Sequence, residues 1–94
     1  MSWVYILECS DASYYVGSTK NIDARLAQHQ EGKGSEYTKR RLPVTLVFAS
    51  EFDGVDEAFF MEKRIQGWSR AKRKALIEGR FEDLPNLSRN KQES

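Results

Sequence analysis

The sequence predicts an α+β domain: a three-stranded antiparallel sheet flanked by helices, in the order β-β-α-β-α-α. Two short stretches rich in aromatic and β-branched residues near the N-terminus are separated only by the polar break Ser10-Asp11-Ala12-Ser13, so they pair as a hairpin. A third apolar stretch follows a long loop, and segments with helical spacing of apolar residues stand on both sides of it. A doubly wound parallel fold is disfavoured, because strand and helix signals do not alternate regularly and no glycine-rich phosphate loop follows a strand.

Taken in order, Trp3 to Cys9 and Tyr14 to Ser18 form the hairpin strands. Asn21 can accept a hydrogen bond from a free amide at a helix start, and Gly32 suits a helix end, so a helix fills Ile22 to Gln30. A loop from Gly32 ends near Pro43, and Val44 to Phe52 make the third strand. Asp53-Gly54 is a turn. Val55 to Gly67 then carry Ala58, Met61 and Ile65 at helical spacing, with Phe59 alongside. Ser69 caps a further helix through Ile77, closed by Gly79. Residues 1–79 are expected to form one domain, and residues 80–94 a tail that packs through Phe81, Leu84 and Leu87 and then frays.

Composition narrows the function classes. With 39% apolar and 31% charged residues the chain has the make-up of a globular domain and not of a disordered one. No apolar run approaches the roughly 18 residues a membrane helix needs, and no basic-then-hydrophobic leader opens the chain, so a cytoplasmic location is expected. Cys9 is the single cysteine and His29 the single histidine, which excludes an internal disulfide and a zinc site of the Cys/His type. The formal charge is only +1 but unevenly spread: Lys33, Lys39, Arg40 and Arg41 form one basic group, and Lys63, Arg64, Arg70, Lys72, Arg73 and Lys74 another. Such faces suit an anionic polymer, or are simply solvated.

The residues able to do chemistry fall on these elements. On the first helix Arg25 and His29 share the arc that carries Ile22 and Leu26. A guanidinium there either snorkels to water or is aimed at phosphate oxygens, where its planar donors bind two at once. Glu62 sits within the apolar arc of the next long helix, where a carboxylate is costly unless it pairs with a cation or holds a divalent metal. Magnesium is often bound through one or two carboxylates with waters and phosphate completing the shell. Tyr5 and Tyr15 lie on neighbouring strands, and a phenol beside a metal and a guanidinium has its ionised form favoured, so it can accept a proton from water or hold water in line. Tyr14, by strand alternation, faces the other way and is structural. Gly17 marks a bulge or a close contact with a helix. Lys39, Arg40 and Arg41 beside Tyr37 combine charge with a stacking ring.

Trp3-Val4-Tyr5-Ile6-Leu7, Tyr15-Val16-Gly17, Arg25, His29 and Glu62 together resemble the GIY-YIG nuclease domain, over nearly the whole chain. The stretches Lys33-Gly34-Ser35-Glu36-Tyr37-Thr38-Lys39-Arg40-Arg41-Leu42-Pro43-Val44 and Ile65-Gln66-Gly67-Trp68-Ser69-Arg70 resemble its small, single-domain bacterial branch. The resemblance implies hydrolysis of nucleic-acid phosphodiesters, DNA above all, with Mg2+ or Mn2+. It makes Tyr5 and Tyr15 the motif tyrosines, Gly17 the motif glycine, Arg25 the helix arginine and Glu62 the metal ligand. His29 becomes a proton-transfer or phosphate-contacting group. Lys39, Arg40, Arg41, Arg70, Lys72 and Arg73 would grip the nucleic-acid backbone. The chain departs from some members at Ser18, where they carry a basic residue, and at Lys74, where they carry asparagine. The alternative is a weak or inactive nucleic-acid-binding module, acting as a homodimer or with a targeting protein.

Overall fold

The structure is a computed structural model and describes residues 1–84. Strands β1 (Ser2–Glu8) and β2 (Tyr14–Thr19) form the expected hairpin. The turn is closed by the Cys9 amide on the Ser13 carbonyl at 2.8 Å, and the Asp11 carboxylate accepts the Ser13 amide at 3.0 Å. Strand β3 (Thr45–Phe52) pairs antiparallel with the other side of β1, giving the order β2-β1-β3. The central strand is covered on both faces, which explains its unbroken apolar run: Val4, Tyr5, Ile6 and Leu7 are all buried.

Helix α1 (Ile22–Gln30) starts where Asn21 predicts, its side chain accepting the Ala24 amide at 3.0 Å. Helix α3 (Val55–Gln66) and helix α4 (Arg70–Ile77) follow the periodicity, and Ser69 caps α4 by accepting the Lys72 amide at 3.2 Å. The expected loop between Gly32 and Pro43 holds one further element, α2 (Glu36–Lys39). It is too short to display a hydrophobic period; its cap, Ser35 accepting the Thr38 amide at 3.2 Å, is what nucleates it.

The sheet is a divider. On one face Val4, Ile6 and Val16 pack against Ala58 and Ile65 of α3, with Leu76 and Ile77 of α4 alongside. On the other, Tyr5 and Leu7 meet Tyr15 and the α1 residues Ile22 and Leu26. No bulge falls at Gly17; the register shift lies between Ile6 and Leu7, against β3. A short 3-10 turn, Phe81–Asp83, follows α4. Phe81 is largely exposed at the rim of a groove shared with Trp68 and Leu76, and Leu84 is partly buried; Leu87 lies outside the described residues.

Candidate active site

On the α1 side of the sheet, four of the residues singled out in the sequence come together. The Tyr5 hydroxyl lies 2.9 Å from His29 Nε2 and 3.4 Å from Arg25 Nε. The rings of Tyr5 and Tyr15 are 6.4 Å apart, and Tyr15 meets His29 edge-on at 5.2 Å. Strand pairing sets this up: Tyr5 stands opposite Gly17, and the phenol occupies the volume a side chain there would need. A Cβ on Gly17 would lie 2.5 Å from the Tyr5 oxygen. The motif glycine is therefore neither a bulge nor a helix contact but a window over the phenol.

Electrostatics follow from burial. Burial pushes the Tyr5 phenol above its usual range against the pull of the Arg25 hydrogen bond, with Tyr15 raising it further and Glu62 contributing a smaller rise. Arg25 is held more firmly protonated, first by its bond to Tyr5 and further by Tyr15. His29 is fully buried, and that burial, with the Arg25 charge beside it, lowers its pKa to about 4. It is neutral at physiological pH.

That depression carries a stability prediction. The unfolded chain takes up a proton on His29 near pH 6.5 and the folded chain only near pH 4, so the stabilisation is complete above pH 6.5 and is lost as pH falls between the two. Unfolding free energy measured by urea denaturation is expected to drop by roughly 2 kcal/mol between pH 7 and pH 5 from this group, and His29→Gln to flatten that slope.

Glu62 reaches the same strand from the other side. Its Oε1 accepts from Ser18 Oγ at 2.6 Å and its Oε2 from Gln66 Nε2 at 2.8 Å; Gln66 also donates to the Val16 carbonyl at 3.2 Å, on the open edge of β2. Lys63 Nζ, half exposed, makes an ion pair with the same Oε2 at 3.7 Å, the cationic partner the sequence allows for. Ser18, where the family resemblance breaks, is thus the residue that aims Glu62. Among the described residues no three His, Cys, Asp or Glu side chains cluster to hold a metal. A single carboxylate oriented by Ser18 and Gln66 fits a hard cation that keeps most of its waters, such as Mg2+, and does not fit a fully protein-ligated site.

A groove of about 340 Å³ runs along the edge of β2, lined by Tyr14, Tyr15, Val16, Tyr37, Gln66 and Arg73; of the predicted catalytic residues Tyr15 lines it, while Tyr5, Arg25, His29 and Glu62 do not. Cations rest on its rings: Arg41 lies 3.8 Å from the centre of Tyr37, and Arg70 4.5 Å from that of Tyr14. Tyr14 faces the α3 side, as its alternation predicts, yet it also lines the groove. Arg41 is anchored by Asp11 at 3.1 Å, and Arg73 by the carbonyls of Ile65 and Gln66. Lys72 sits over Trp68 at 4.1 Å, away from the tyrosines, while Lys39 and Arg40 are exposed on α2.

Residues 1–75 match the family described as the GIY-YIG catalytic domain. The chain belongs to this family. A UPF0213 protein of Halobacterium salinarum is 46% identical over 82% of this chain and all of its own length, and one of Staphylococcus haemolyticus is 45% identical over 83% of this chain and 95% of its own. The solution NMR structure of a UPF0213 protein from Bacillus halodurans is 40% identical and superposes with a TM-score of 0.55, covering 83% of this chain and 84% of that one. The GIY-YIG family is generally made up of endonucleases, which suggests interaction with nucleic acid. Its small branch extends to archaea as well as bacteria. Among the described residues no helix is long and apolar enough to cross a membrane.

Sequence reasoning passed over Ser18, Gln66, Gly34 and Thr38 as site residues. Gly34 gives its carbonyl to Arg25 at 2.9 Å and Thr38 its hydroxyl to His29 Nδ1 at 2.8 Å. The one legible sign was the Ser35-to-Thr38 spacing of a helix cap.

Proposed function

We propose that this GIY-YIG domain is a divalent-metal-dependent endonuclease acting on DNA. The observation supporting this reading is the convergence of Arg25, Tyr5, Tyr15 and His29 under Gly17, with the Glu62 carboxylate arriving at the same strand. A guanidinium has five N–H donors. Arg25 commits one each to Tyr5, Gln28 and Gly34 and also meets Tyr15, which leaves at least one for a phosphate oxygen.

Tyr15 lines the groove while Tyr5 is buried, so Tyr15 is the phenol that meets and aligns the attacking water. Tyr5 holds the guanidinium from behind. His29, being buried, acts through Tyr5 and does not touch phosphate. Glu62, oriented by Ser18 and Gln66, is the residue that would hold Mg2+ or Mn2+. A cation bound there would supply positive charge for the scissile phosphate. Arg41, Arg70 and Arg73 border the groove and steer the backbone without reading bases.

The test is incubation of the protein with supercoiled and branched DNA, with Mg2+, with Mn2+ and with EDTA. Cleavage that requires the cation and stops with EDTA is the expected result. Salt-dependent binding with no cleavage on any substrate would instead assign the groove to holding nucleic acid.

A further inference from the structure

We propose that Thr38 is a positioning residue that supports the orientation of Arg25 through His29 and Tyr5, by giving the Nδ1 proton an acceptor in the tautomer that Tyr5 and Arg25 require. The proposal rests on the nuclease reading for its catalytic consequence, but its structural content stands on hydrogen-bond accounting alone.

The Tyr5 hydroxyl has two neighbours, Arg25 Nε at 3.4 Å and His29 Nε2 at 2.9 Å. Arg25 can only donate. The phenol proton therefore points at His29 Nε2, which must be bare, and the neutral ring carries its proton on Nδ1. Nδ1 faces Thr38 Oγ1 at 2.8 Å, which accepts. The Thr38 proton then turns to Ser35, whose Oγ is at 3.0 Å and whose carbonyl is at 3.4 Å. From Tyr5 to Thr38 each proton has an acceptor.

The opposite tautomer fails at the far end. With the proton on Nε2, His29 would donate to Tyr5, and neither of these neighbours would accept the phenol proton. Arg25 would then share the phenol oxygen with the His29 N–H, which weakens its inner anchor. Its other ties run to Gln28, the Gly34 carbonyl and Tyr15. Tyr5 and Arg25 ask for this tautomer and Thr38 completes it: around His29 stand Tyr5 from β1, Tyr15 from β2, Arg25 from its own helix and Gly34 and Thr38 from the α2 segment, and among these Thr38 meets Nδ1 with a hydroxyl. Thr38 is itself wholly buried and lies on a helix that contributes no group to the groove except Tyr37.

The experiment is 15N NMR of the histidine ring and of the arginine Nε–H resonances in the wild type, Thr38→Val and Thr38→Ser, with cleavage kinetics in parallel. The wild type is expected to show His29 protonated on Nδ1 and a slowly exchanging Arg25 Nε–H. In Thr38→Val both signatures are lost and kcat falls about tenfold with KM little changed; Thr38→Ser restores all three. A wild-type ring protonated on Nε2, or a Thr38→Val protein that keeps tautomer, Arg25 signal and kcat, overturns the proposal. Should Thr38→Val not fold, the wild-type tautomer decides. If no substrate is cut by the wild type, the nuclease reading falls, while the NMR signatures still judge the role of Thr38.

Discussion

Arg25→Ala is expected to reduce cleavage by about 10²–10³-fold, mostly in kcat, because it removes donors aimed at charge that builds up in the transition state. Arg25→Lys should recover little of this. Lysine keeps the charge but cannot serve Tyr5, Gln28 and the Gly34 carbonyl and still present a donor to a phosphate. Single-turnover rates with saturating enzyme separate this from a loss of binding, and thermal melting of both variants reports any structural contribution of the lost bonds. A variant that cuts within threefold of the wild-type rate would remove Arg25 from the chemistry.

Gly34→Ala is expected to be the most damaging single methyl in the described part of the chain, costing about 4 kcal/mol. A Cβ at this position would overlap the His29 ring, 2.5 Å from Cγ and 2.6 Å from Cε1, and that ring is fully buried with no room to retreat. Overpacking of this kind costs about 1–3 kcal/mol. Displacing the imidazole also strips Tyr5 and Thr38 of a buried hydrogen-bond partner, adding about 1–3 kcal/mol. Against a total stability of about 5–15 kcal/mol for a domain, that is a large share. Urea denaturation measures it, and a loss below 1 kcal/mol would show that the loop before α2 yields easily.

The fold was readable because its elements are long enough to carry a period and are bounded by local signals: Asn21 and Ser69 cap the helices they were expected to cap. The tyrosines, Arg25 and His29 were readable as a set because alternation along β1 and β2 and the arc of α1 put them on one side of the sheet. What the sequence hid is contact between distant segments. Ser18 and Glu62 are 44 positions apart, and nothing local in either says that a hydroxyl will orient the carboxylate. The same holds for Gln66 reaching the Val16 carbonyl, 50 positions away. Gly17 was expected to serve backbone geometry, and its purpose lies instead in a side chain on the neighbouring strand. The α2 segment escaped because one turn of helix has no periodicity to detect, although it holds both Gly34's neighbour and Thr38 against the imidazole.

Because the sheet divides Glu62 from Arg25, the distance between anionic and cationic halves is gauged by how deeply α3 seats on β1 and β2. Ala58 and Ile65 set that depth, and neither touches a reacting group. A larger side chain at position 58 would act as a shim, lifting the helix and detuning the gap while every polar participant kept its identity. The oily layer under α3 is in this sense the ruler of the site.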